Sequence, residues 1–234
     1  MKSTTGQFSL EIMVHGRLIS EYLHHGEVFA EGKKGSEYIL RVRNNTGRRA
    51  VAVVSVDGLS VMDGKVASKN GSGYVVDSYG FVDIPGWRLD SDAVAKFLFG
   101  SLPEAYATKM GKPTNIGVIG VVFFHEKKRE HEMCHALYSM SGTMRGGGTL
   151  GGNSSSEKGI GTGFGRRQEH RVETVSFDRE ISPVAQITIR YDDADGLRAR
   201  GINVTAPHMQ SDRVVAADPF PADTGCKVPS GWRG

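Results

Sequence analysis

The stretch Ser36–Gly58, SEYILRVRNNTGRRAVAVVSVDG, constrains the fold more than any other part of the chain. Tyr38, Leu40 and Val42 alternate with Ile39, Arg41 and Arg43, the period-two pattern of a strand with one apolar and one polar face. Asn44, Asn45, Thr46 and Gly47 supply turn chemistry, because asparagine and glycine tolerate left-handed backbone. The chain returns through Ala50–Val56, apolar enough to be covered on both faces. The pattern predicts a central hairpin whose Val51–Val56 arm pairs near Ile116–Phe124 and whose tip turns Arg48 and Arg49 outward.

The same grammar recurs along the chain. Phe8–Val14 alternates cleanly, Arg17–Leu23 and Val28–Ala30 extend a meander, and Tyr74–Val76 and Phe81–Ile84 are short strands stopped by Pro85-Gly86. Trp87 reads as a core plug. Ala93–Phe99 fits a strand better than a capped helix, and Pro103–Met110 fits a short helix. Asn115–Phe124 is the most apolar run and reads as an interior strand. His170–Phe177 and Val184–Tyr191 are expected to form a second hairpin, ending in an acidic turn at Asp192, Asp193 and Asp195 and a short helix or turn over Leu197–Gly201.

About ten short strands with short connections predict an all-β fold, an antiparallel two-sheet β-sandwich with jelly-roll as one form of it. The sandwich is expected to occupy residues 1–204 as one domain, with a glycine-rich low-complexity loop inserted at about 126–168. Prolines 207, 219, 221 and 229 make residues 205–234 an extended C-terminal arm.

At 234 residues the chain can bury a sizeable core, and it has no apolar run long enough to enter a membrane as a helix. A net charge of +3 is too mild to point to nucleic acid. Two cysteines in dissimilar segments do not make a disulfide framework, which suits a cytoplasmic setting.

One motif carries chemistry. In His131-Glu132-Met133-Cys134-His135, a helix would put both histidines on one face to hold Zn²⁺, with Glu132 as general base on the metal's water. These five residues resemble the zincin metallopeptidases, but Ala136–Ser141 supply neither the glycine nor the third histidine of the extended form. Adventitious metal binding by His125, His131 and His135 is a weaker version of the same idea. Gly161–Gly165 lacks the strand-to-helix setting of a phosphate loop and reads as an adaptable linker. The expected cofactor is therefore none, with zinc as the alternative.

What remains is contact. Phe220 and Trp232 lie on an arm that cannot fold alone, and aromatics so placed serve as anchors on a neighbour. A sandwich with a long loop and a terminal arm is similar in general design to bacteriophage capsid and decoration proteins. That resemblance implies a structural virion component, assembled in the host cytoplasm, whose partners are subunits of a homo- or hetero-oligomeric assembly. Phe220, Trp232, Arg48 and Arg49 are the expected contact residues. A zinc metallopeptidase and a ligand- or carbohydrate-binding sandwich are the competing readings.

Overall fold

A computed structural model describes residues 1–112, 115–127 and 159–204. Two seven-stranded sheets face each other across one core. The first contains β1 (Phe8–Val14), β2 (Arg17–Leu18), β5 (Glu37–Asn44), β9 (Phe81–Ile84), β10 (Gly86–Arg88), β11 (Ala93–Ser101) and β13 (Ile160–Glu169). The second contains β3 (Glu21–His24), β4 (Glu27–Glu31), β6 (Ala50–Val56), β7 (Leu59–Ser60), β8 (Tyr74–Val76), β12 (Val118–His125) and β14 (Ala185–Asp192). Pairing is antiparallel except between β4 and β14, which run parallel. The all-β, two-sheet sandwich expected from the sequence is the fold.

Alternation decides which side chains meet. Phe8, Leu10 and Ile12 of β1 and Tyr38, Leu40 and Val42 of β5 turn inward, as do Val54 and Val56 of β6 and Ile119, Val121 and Phe123 of β12. Phe8 and Phe123 stack across the two sheets with ring centroids 4.4 Å apart. Trp87 is buried as predicted, against Phe97 and Tyr106, and its indole N–H donates to the Gly163 carbonyl at 3.2 Å. Ala93–Ser101 is a strand, and the helical segment after it is a 3-10 turn (Leu102–Glu104) followed by the single turn α1 (Tyr106–Lys109).

The expected central hairpin does not form. β5 pairs with β1, β9 and β11 in the first sheet, whereas β6 pairs with β12, β7 and β8 in the second. Residues 45–49 are thus a corner from one sheet to the other. Asn44 fixes that corner from a fully buried position, with its side-chain amide donating to the carbonyls of Arg48, Val76 and Asp77. The other half of the expectation holds: Val51–Val56 pairs along β12 from Phe124 to Ile119.

The second correction concerns glycine. Ile160–Glu169, read as loop and linker, is a strand paired with β11 along its length. Gly161 and Gly165 answer to crowding: a Cβ on Gly161 would stand 2.6 Å from Ala105 Cβ and 2.8 Å from Ile116 Cγ2, and one on Gly165 2.7 Å from the Lys96 carbonyl oxygen. The third concerns residues 170–184. They hold no regular strand, so the predicted second hairpin is replaced by an extended strap leading from β13 to β14. Among the described residues, no helix is long and apolar enough to cross a membrane. Residues 128–158, with most of the low-complexity run, and the arm 205–234 lie outside the described residues.

Candidate functional site

The strap is fastened at both ends. At its start the His170 and Val172 N–H groups donate to the Asp92 and Ser91 carbonyls, beside β11, and Arg88 reaches the His170 carbonyl at 2.6 Å. Burial and the adjacent Arg88 charge hold the His170 imidazole below its ordinary pKa, which favours the neutral ring. At its far end Lys127 N–H donates to the Asp178 carbonyl and Glu180 N–H to the His125 carbonyl, beside β12. The strap therefore ties the first sheet to the second across the open side of the sandwich.

Two side chains seat it. Phe177 packs on the outer-face cluster Val51, Val53, Val122 and Phe124. Arg179 lies over the Phe124 ring at 4.9 Å and donates to three successive carbonyls, Lys69 (3.3 Å), Asn70 (2.8 Å) and Gly71 (3.1 Å). One guanidinium thus locks the strap to the loop that leads into β8.

Between the strap and β8 lies a groove of about 770 Å³. Its apolar lining includes Val51, Tyr74, Val75 and Val82, and Val172, Val175 and Phe177 come from the strap. Arg49, Arg179, Asp77 and Glu173 add charge of both signs. The Tyr74 hydroxyl receives a hydrogen bond from Arg88 at 3.0 Å, and burial raises its pKa above the ordinary value. Gly73 is obligatory at this wall, because a Cβ there would stand 2.3 Å from the Ala52 carbonyl oxygen. Among the described strands, β8 pairs only with β6.

The predicted contact residues fall here in part. Arg49 lines the groove, but its guanidinium is shared with Glu126 (3.1 Å) and Asp77 (3.3 Å). Arg48 reaches the Glu126 carbonyl and the Glu180 carboxylate, each at 2.6 Å. Rather than pointing outward, the pair knits the inter-sheet corner to β12 and to the strap. His131, Glu132, His135, Phe220 and Trp232 lie outside the described residues. His125 is buried beside Phe8, on the inward face of β12. Among the described residues no group of three or more His, Cys, Asp or Glu side chains is placed to hold a metal.

A second polar constellation, missed in the sequence, lies in the core. Asp57, whose pairing with Gly58 has the residue pattern of a tight turn, is 1% exposed with φ +51°. Its carboxylate accepts from Gly117 N–H (2.9 Å), Thr162 N–H (2.7 Å) and the Tyr191 hydroxyl (2.7 Å). The Thr162 hydroxyl lies 2.6 Å from both the Tyr191 and Tyr38 hydroxyls. Each hydroxyl has one proton, so with Tyr191 donating to Asp57 the order is Tyr38 to Thr162 to Tyr191 to carboxylate. Burial nevertheless pushes the Asp57 pKa up to about 6 against these hydrogen bonds. Burial and the Asp57 charge also raise Tyr38 and Tyr191 well above the ordinary tyrosine value, so both stay protonated.

The acidic turn resolves similarly. Asp193 caps α2 (Ala194–Ala199) by accepting from Gly196 N–H at 2.8 Å. Asp192 is buried, accepts from Ile160 N–H at 3.3 Å, and has its pKa raised by that burial. These carboxylates hold β13 and α2 in place.

No family model matches the chain, nor does any curated protein or solved structure.

Proposed function

We propose that this chain is a structural interaction protein of a larger assembly, with a virus particle as its setting, and that it receives a partner subunit in the strapped groove. The supporting observation is one juxtaposition. Among the described strands β8 is a short edge strand paired on one side only, and an extended strap is held opposite it across about 770 Å³. Unpaired strand edges template the addition of another strand, and folded proteins usually cover them closely. Here the cover is pinned at its ends and stands off in the middle. An entering extended segment would find backbone partners along the groove and apolar seats at Val75, Val82 and Phe177, the recipe for recognition by strand addition.

The test is to fill the groove. Thr174 lines it and is exposed, so Thr174→Trp should block entry without disturbing the core. The expected result is loss of self-association or of incorporation into the particle, with unchanged thermal unfolding. Undiminished assembly by this variant would overturn the proposal. A small-ligand reading draws on the same volume, which lies within the roughly 300–1,000 Å³ of small-molecule sites. A chain that sediments as a monomer, yet is stabilised against heat by an oligosaccharide, would favour that reading instead.

A further inference from the structure

Resting on that proposal, we infer that the groove's occupant is the segment Asp212–Phe220 of a second copy of this chain, laid in as a strand between β8 and the strap. Strand addition needs successive backbone N–H groups, and proline has none. Between Pro207 and Pro219 the arm carries no proline, and at its centre Val214, Val215, Ala216 and Ala217 are apolar on both faces of a strand. That suits a position between a sheet edge and a covering strap. Small alanines on alternate sides leave room beside Tyr74 and Phe177. Pro219 then ends the ladder, and Phe220 follows as the anchor.

The route of the chain selects a second copy. The described fold ends at Val204, whose carbonyl accepts from the Tyr22 hydroxyl of β3 at 3.3 Å. β3 forms one edge of the second sheet and β8 lies beyond β6 at the other, five strand spacings or about 24 Å away. From residue 204 to residue 214 a fully extended chain reaches at most about 36 Å. That reach exceeds the separation, but the direct path to the chain's own groove crosses the outer face of β12 and β6, where Phe177 and Arg179 of the strap already pack. A neighbour set with its β8 edge beside this β3 edge brings the groove next to the exit. Exit and groove on opposite edges make a head-to-tail contact, which builds a ring or a filament rather than a two-fold dimer.

The experiment uses the full chain, mixed as isotopically light and heavy protein, with a photo-reactive benzoylphenylalanine replacing Val175 in the groove wall. The expected product is a mixed light–heavy cross-link to a peptide within 212–220. In parallel, Val214→Asp with Val215→Asp should weaken self-association by about tenfold or more, with the near-ultraviolet signature of buried Trp87 unchanged. Cross-links confined to one copy, cross-links to another segment, or none from an oligomer would each overturn the inference. Undiminished association of the double variant would do the same. If Thr174→Trp disperses the assembly and the double variant does not, the groove remains the contact and this occupant falls. If neither variant disperses it, both readings fall.

Discussion

The Tyr191 hydroxyl donates to Asp57 Oδ1 at 2.7 Å in the centre of the sandwich, joining the last strand of the second sheet to the end of β6. This places a carboxylate among the aromatic and branched apolar side chains of the core. Its stability is tied to pH in the opposite sense to that of a surface carboxylate.

The sign follows from the raised pKa. Between the ordinary value of 3.8 and about 6, the folded state holds the Asp57 proton more tightly than the unfolded chain. The Asp57 contribution is therefore fully present below the ordinary value, declines as pH rises, and is lost above about 6. The change amounts to about 3 kcal/mol over that window. Urea unfolding at a series of pH values should show the decline in the native chain relative to Asp57→Asn, whose difference curve isolates this group. Parallel curves would refute the assignment.

Tyr191→Phe removes the last donor of the relay and leaves the Thr162 hydroxyl without its acceptor. The expected loss is about 1–3 kcal/mol, with the Asp57 carboxyl titrating at still higher pH because a hydrogen bond to its charged form is gone. Carboxyl carbon NMR shifts followed against pH check the second effect independently of the first.

Gly161→Ala tests the reading of the glycines in β13. The added methyl group would meet Ala105 and Ile116 inside their van der Waals radii. A destabilisation of about 1–3 kcal/mol is expected from overpacking. A linker glycine would tolerate the change, so a neutral result in thermal unfolding would return this segment to the linker class.

Arg179→Ala unlocks the strap. The carbonyls of Lys69, Asn70 and Gly71 lose their shared donor and Phe124 loses the guanidinium over its ring. Amide hydrogen exchange should accelerate over residues 69–73 and 172–177 while β12 and β6 stay protected. Uniform acceleration across the sandwich would show that Arg179 supports the whole fold rather than this junction.

Individual strands were legible because alternation is a local property: Phe8–Val14, Tyr74–Val76 and Phe81–Ile84 lie where their patterns put them. Their partners were not. A turn-rich Asn44–Arg49 serves a hairpin or a corner equally well, and the choice falls to Asn44, whose amide reaches the Val76 and Asp77 carbonyls only once β8 is in place. Glycine carries the same ambiguity, since a missing side chain can mean freedom or crowding, and Gly161 is the crowded kind. His170–Phe177 shows the reverse failure, a genuine period-two pattern whose segment reached no ladder. The candidate site was the least legible part. Arg179, flanked by Asp178 and Glu180, has the pattern of an ordinary solvated charge run, and Asp57-Gly58 imitates a solvent-facing turn although the carboxylate points into the core.

The corner at residues 45–49 also sets the order of events during synthesis. Because β5 and β6 part company there, β6 first meets only the short β7 and β8 and gains its long partner when β12 emerges, and β4 gains its parallel neighbour only when β14 emerges. The β11 edge stays bare until β13 is made. The first sheet cannot be completed before about residue 169, nor the second before about residue 192. Folding of such a topology is slow, because its ladders join segments far apart in the sequence.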